Sequence, residues 1–550
     1  MMPARFAPTS MLHSSRSWLL VALLTATGCA RCGKSPGGEA GSSALLELLP
    51  RDAAAVVVIP DAGALGEKLA RFQGLKLASF VAQLQGFASG EAYASAVMRQ
   101  VGVDLRSRTA MEKAGIDPAR GVGIVMLPGG TGGYAVVGVK DRGTLEATLA
   151  GLAKSRLGAP VRAERTEGAG SLVTFSRTAG AEPQLGLLFT RGYVLVGARE
   201  AIRSLPSYAA LPRERSLTQA PIHAASLSRL AGPRDFYAYL PGGGGALPQG
   251  TVEGLTLAGH ISPEAVTLRA DAPWPGARAA IAALQKQTPV NLLGYLASDT
   301  FLTVSFSGDP AALEGAWPTL VGPQVTRAVQ SSGFDFNGEI LQNLRSGLVM
   351  GVALAPTVQL AAGMPELDLR RTNPFRYVHF AAVGETRDAA RAAATLERIP
   401  ALASRFGARV TPEQRGTQRV FLTQYRQGEG AHLAVVGSRV LVAAPLPRLE
   451  QMLASLAAPP GPGPLAADLS PVLGGHTLAA VLDLRRLADA VKALPPQAWG
   501  VGGFAIKATT VRWLEATDDL RAVTFGLRAE GQALQAELSL RLAPQAARTP

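Results

Sequence analysis

Asp52-Ala53-Ala54-Ala55-Val56-Val57-Val58-Ile59-Pro60-Asp61 and Asp299-Thr300-Phe301-Leu302-Thr303-Val304-Ser305-Phe306-Ser307-Gly308-Asp309-Pro310 carry the same pattern twice. In each, an aspartate precedes a run of β-branched and bulky apolar residues, which favours a strand. In each, a second aspartate then opens a helix. Asp61 stands ahead of Leu65, Leu69 and Phe72 at helical spacing, and Asp309 precedes a proline suited to a first helical turn. The stretches lie roughly 245 residues apart, a period that points to tandem duplication.

Further landmarks recur outward from this pair in the same order. Strands over residues 121–127 and 134–140 flank a Gly-rich turn, and Asp141 then caps a helix carrying Leu145, Leu149 and Leu152. Their counterparts are strands at 347–354 and 377–383 and a helix at 387–399. Strand pairs ending in Val194-Leu195-Val196 and Val440-Leu441-Val442 each precede a short helix, with Ile202 and Leu205 in one and Leu449 and Leu453 in the other. Antiparallel pairs close both halves, 254–261 with 265–270 and 522–527 with 533–542. The connections are too short for parallel crossovers. The expected fold is therefore α+β: two tandem repeated domains with mainly antiparallel sheets and helices on one face, related by a pseudo-twofold axis. The expected boundaries are a leader at 1–28, a Gly/Ser-rich flexible tether at 29–44, repeat domain 1 at 45–274 and repeat domain 2 at 275–550.

The halves also differ. The first follows its strand at 235–240 with Gly242-Gly243-Gly244-Gly245 and a loop to Gly250. The second follows residues 477–482 with an amphipathic helix bearing Leu484, Leu487, Val491 and Leu494. An insertion between Ala355 and Phe375 carries Glu366, Asp368, Arg370 and Arg371. Both departures are candidate contact sites, because loops carry function on a scaffold. The uncharged stretch 347–364 is long enough to suggest a membrane span. Pro356 and Gln359 interrupt it and its counterpart is a strand, so a buried strand and loop are expected.

Ahead of the first domain stand Arg5, His13 and Arg16, an apolar run from Trp18 to Ala26, and then Thr27, Gly28 and Cys29. A basic start, a short apolar core and small residues at its end describe a secretory leader. The run is too short to span a bilayer, which needs about 20 apolar residues. Ala26-Thr27-Gly28-Cys29 resembles the lipobox of bacterial lipoproteins, with Ala26 where that family more often has Leu. The resemblance implies cleavage before Cys29, diacylation of its sulfur and acylation of the new amino terminus, enough for stable anchoring. Cys29-Ala30-Arg31-Cys32 also spells C-x-x-C, yet no strand or helix pattern flanks it as a redox motif requires. With the polar tether and the Leu49-to-Ala53 opening of the repeat, the layout is similar to large repeat-built lipoproteins of bacterial envelopes, grouped as domains of unknown function. Ala30 is not an acidic retention signal, which favours the outer membrane.

The formal net charge is +13, but only nine of the 54 basic residues are lysines and the arginines are scattered. Aromatics make up 6%, too few for base-stacking grooves, so no nucleic-acid partner is expected. His223, His260, His379, His432 and His476 stand far apart in sequence, none in H-E-x-x-H, with His260 and His379 in strand patterns as half-buried sheet residues. No G-x-S-x-G elbow appears, and the Gly129–Gly133 turn lacks the Lys-Ser/Thr ending of a P-loop. The only assigned site is lipidation at Cys29, with no catalytic, cofactor or metal residues. The expected function is a non-catalytic, lipid-anchored envelope protein that binds a partner protein or ligand. The alternatives are a carrier of lipid or another hydrophobic ligand, and a hydrolase whose site is assembled from distant residues.

Overall fold

The computed structural model describes residues 43–130, 132–168, 170–242, 252–285, 292–314, 330–331, 333–355, 375, 377–405, 407–425, 428–457, 469, 472–494 and 503–543. Cys29, the leader, most of the Gly242–Gly250 loop and the interior of the Ala355–Phe375 insertion lie outside them. The chain divides into two compact units, Met1–Pro273 and Trp274–Pro550, each mixing helices with antiparallel strands.

The first unit holds β1 (Ala55–Ile59), β2 (Val122–Met126), β3 (Gly133–Gly138), β4 (Val161–Glu167), β5 (Gly170–Ser176), β6 (Leu185–Thr190), β7 (Tyr193–Ala198), β8 (Phe236–Pro241), β9 (Gly254–Ile261) and β10 (Ala265–Pro273). Every pairing is antiparallel, in the order β10-β9-β8-β1-β2-β3-β7-β6-β5-β4. Register follows the apolar pattern: Val56 stands opposite Val125 on one side and Tyr239 on the other, and all three enter one core. The Gly-rich stretch is the β2–β3 turn, where Gly129 takes φ 72, a conformation that favours glycine.

The second unit holds β11 (Leu302–Phe306), β12 (Leu348–Leu354), β13 (Val378–Glu385), β14 (Arg409–Arg415), β15 (Gln418–Tyr425), the two-residue β16 (Gly428–Glu429), β17 (His432–Val436), β18 (Arg439–Ala444), β19 (Leu478–Asp483), β20 (Leu520–Glu530) and β21 (Ala533–Leu542). Its order is β21-β20-β19-β11-β12-β13-β18-β17-β15-β14, again antiparallel throughout, with β16 against β15. β16 apart, the two sheets run through their strands in the same order.

The aspartates do what their positions predict. Asp61, Asp141 and Asp309 each accept a backbone N–H of the following turn, at 2.9, 2.7 and 3.1 Å. Asp61 and Asp141 start the helices Ala62–Ala70 and Arg142–Leu157, and Asp309 starts the short turn Pro310–Leu313. The helix expected at 387–399 spans Ala389–Arg405, running through Pro400.

Helices cover both faces of each sheet, not one. Leu172, Leu188 and Leu195 join the core under the helix Ala201–Ala209, where Leu205 is fully buried. Their neighbours Val173, Leu187 and Val194 join a second core with Leu145 and Ala153 of Arg142–Leu157. Side chains alternate across a strand, so these are opposite faces, and a strand buried on both reads as a continuous apolar run. In the second unit Phe421 likewise faces Leu396 while Val420 joins the core of Leu449 and Met452.

Between β1 and β2 the first unit adds a helical segment. Lys76–Leu84 and Gly90–Val101 pack as a hairpin, Ser89 capping the second through Ala92 N at 3.1 Å. Gly90 is required there, since a Cβ would lie 2.6 Å from the Gln73 carbonyl oxygen. Arg106 ties the segment together, donating to Asp104 at 2.7 Å and to Gln73 at 3.0 Å.

One end strand of each sheet is strongly polar. β4, sequence Val-Arg-Ala-Glu-Arg-Thr-Glu, is exposed at all but its last residue, and β14 carries Arg409, Pro412, Glu413 and Arg415. β12 alternates buried and half-buried residues through 348–354, while 356–364 lie outside the described residues. Among the described residues no helix is long and apolar enough to cross a membrane.

Candidate functional site

In the first unit a cleft of about 370 Å³ opens where the chain enters β1 and leaves β8. Those strands are antiparallel neighbours, so the start of one and the end of the other meet at one end of the sheet. Arg51 and Asp52 line one wall, Tyr239, Pro241 and Gly242 another, and the start of the helix Pro221–Arg229 a third. No side chain caps that helix, and Pro221 occupies its first turn, leaving the Ile222 and His223 N–H groups without helical partners. Asp52 is held 3.3 Å from Arg215.

His223 sits behind this wall, 3% exposed, its ring 5.5 and 5.1 Å from those of Tyr237 and Tyr239. Its Nε2 has no hydrogen-bond partner. Burial, with a smaller contribution from the Arg234 charge, lowers its pKa to about 4, so the imidazole is neutral at pH 7. Deeper in the same unit, Asp271 at the end of β10 is fully buried and takes two bonds from Arg229, at 2.9 and 2.7 Å. Asp235 takes Lys68 Nζ at 2.5 Å and Ile261 N at 2.7 Å, with His260 Nδ1 3.2 Å away. Against its own burial, those partners lower its pKa.

The second unit gathers a cluster that the sequence does not reveal. Thr423 N donates to His432 Nδ1 at 3.1 Å, so Nε2 carries the proton and donates to Glu429 Oε1 at 2.6 Å. The same carboxylate oxygen accepts Leu446 N at 2.6 Å, anchoring the start of the helix Leu446–Ala457. Arg448, two residues along, pairs with Asp299 and reaches His379 Nδ1 at 3.3 Å. Burial, then the Arg448 charge, lowers the His379 pKa. His260 and His379 are half-buried on β9 and β13, as their strand patterns predict.

No protein family, curated protein or solved structure matches this chain. Chemically, these clusters hold elements together: each carboxylate is engaged by a guanidinium, ammonium, imidazole or backbone N–H. Among the described residues no three His, Cys, Asp or Glu side chains group as a metal site. A second cleft, about 300 Å³, is lined by Glu164, Arg165, Glu182, Arg199 and Arg203, with Arg203 and Glu182 paired at 2.7 Å. The first cleft is lined by the Arg51 guanidinium, the Asp52 carboxylate and the Tyr239 ring beside the uncapped start of the helix Pro221–Arg229.

Proposed function

We propose that this protein is a non-catalytic, lipid-anchored envelope protein that binds a partner through two copies of one α+β domain. The observation that carries the non-catalytic reading is the way the titratable clusters are used. The His432–Glu429 and Arg448–Asp299 pairs pin one helix to its sheet, and Asp271–Arg229 pins another. Duplication is supported by the shared strand order of the two sheets, and anchoring by the leader and Cys29. The partner's contact is assigned to the cleft at Arg51, Asp52 and Tyr239, beside the Gly242 loop in which the first half departs from the second. Both described clefts are open and carry charged walls, which gives the hydrophobic-carrier alternative no support.

Cys29→Ser is expected to abolish incorporation of an alkyne fatty acid and to release the protein from the outer-membrane fraction. Retention of both label and membrane association by the variant refutes the anchor. Proximity crosslinking from Arg51 is expected to recover an envelope protein, and recovery of none above background refutes the partner reading.

A further inference from the structure

The first turn of the helix Leu446–Ala457 is tied to its sheet through two imidazoles, and both are held by the same kind of bond. Thr423 lies where the β15 ladder breaks. Before it, Val420 and Phe421 pair with Ala434 and Leu433 of β17, and after it Gln424 and Tyr425 pair with Glu429 and Gly428 of β16. Its N–H goes to His432 Nδ1 at 3.1 Å, so a buried ring stands in for the missing backbone acceptor. From the helix, Arg448 Nε and Nη2 each lie 3.3 Å from Nδ1 of the half-buried His379. A backbone N–H and a guanidinium can only donate. Both Nδ1 atoms are therefore unprotonated, and in each neutral ring the proton sits on Nε2. A second proton has one place to go, Nδ1, and it cannot arrive while either contact stands.

We infer that His379 and His432 make the start of Leu446–Ala457 a pH-sensitive latch, closed when both rings are neutral and loosened by acid. The sign follows from linkage. In the opened form both rings are free to take a proton, as a histidine in water does near a pH of about 6.5, whereas the closed contacts exclude it at Nδ1. Acidification therefore draws the equilibrium towards the opened form. The charges that face the rings are Glu429 at His432 Nε2, and Arg448, Asp299 and Glu429 around His379. Burial and the Arg448 charge oppose a proton on His379, while Asp299 and Glu429 attract one. Glu429 keeps its bond to His432 Nε2 in either state, so what acid removes is the Thr423 bond and the Arg448 contact. The turn is then left with Leu446 N on Glu429 and Arg448 on Asp299. Leu449 is fully buried and Met452 nearly so in the core beneath, which confines the opening to Thr423 and the first helical turn. The inference rests on neither the anchor nor the partner proposed above.

Hydrogen exchange of the full chain at pH 7.5 and pH 5, read by mass spectrometry and corrected for the intrinsic pH dependence of exchange, measures the opening. At Thr423 and over 446–449 the opening constant is expected to rise about tenfold or more. The ceiling is about thirtyfold for each ring, the value for one proton taken up only by the open form. The helix Ala389–Arg405 of the same unit should not change. Asparagine places an amide oxygen near the position of Nδ1 and does not titrate. His432→Asn should therefore flatten the rise at Thr423, and His379→Asn the rise over 446–449. A reading that needs no substitution comes from the ring 15N shifts of the wild-type chain. Both Nδ1 atoms should be bare at pH 7.5 and gain a proton over the same range in which the turn opens. The inference is overturned by a rise below about threefold, by an equal rise in 389–405, by a rise that survives both substitutions, or by a proton on either Nδ1 at pH 7.5.

Discussion

His223 makes stability depend on pH in a window that can be worked out. Its pKa is about 4 in the folded chain and about 6.5 in an unfolded one, because the ring is enclosed between Tyr237 and Tyr239, its Nε2 has no acceptor and Arg234 is the charge that acts on it. Between those values the unfolded state binds more protons than the folded state, so stability rises with pH there and falls on acidification. Each unit of difference is worth about 1.4 kcal/mol. The loss from this residue is therefore near zero at pH 7.5, about 2 kcal/mol at pH 5 and about 3 kcal/mol once pH falls below 4. His223→Phe keeps an aromatic ring in the enclosure and removes the titration, and His223→Leu serves if Phe overpacks. Hydrogen exchange read by mass spectrometry over residues 221–241 gives the opening free energy of this unit. From pH 7.5 to pH 5 the wild-type chain should lose about 2 kcal/mol more than the variant. Equal losses would show that the ring is not enclosed as described.

Two further substitutions test the polar clusters. Arg229→Met leaves the Asp271 carboxylate fully buried without its guanidinium and should cost about 3–5 kcal/mol, read as the shift in urea midpoint of the first unit. Glu429→Ala strands both His432 Nε2–H and Leu446 N–H, so a loss of about 2–4 kcal/mol is expected, with exchange at the start of Leu446–Ala457 rising first.

Much of the fold is legible in the sequence because its cues are local. An aspartate three residues before its N–H partner, as at Asp61 and Asp141, defines a helix start with no knowledge of the rest of the chain. Glycines at 129–133 between alternating apolar runs define the β2–β3 turn in the same way. The second layer of helices is less visible. Leu187-Leu188-Phe189 and Val194-Leu195 read as strands, but that both faces of each are covered depends on Arg142–Leu157 and Ala201–Ala209 packing from opposite sides. Pro400 illustrates a local cue overruled, since it follows the expected helix end at Ile399 and yet lies inside Ala389–Arg405. The polar clusters are the least legible. Arg448 meets Asp299 across 149 positions, and in the sequence Asp299 is marked only by the recurring pattern of an aspartate ahead of an apolar strand. His432 and Glu429 are three apart, a signal that could have been found, but β16 and the turn that face them need tertiary context.

The charge on β4 and the proline in β14 bear on how the molecule behaves in company. A terminal strand with unpaired N–H and C=O groups is a template for another chain, and ten-stranded antiparallel sheets present long ones. On β4, Arg162 and Glu164 pair with each other at 2.6 Å, and Arg142 reaches Glu164 at 2.6 Å, laying side chains across the outer rim. On β14, Pro412 stands opposite Phe421 and has no N–H to offer an incoming strand. The polar side chains of the one and the proline of the other work against edge-to-edge pairing, and replacing Arg162 and Glu164 together by valine is expected to raise self-association, read as increased light scattering against the wild-type chain.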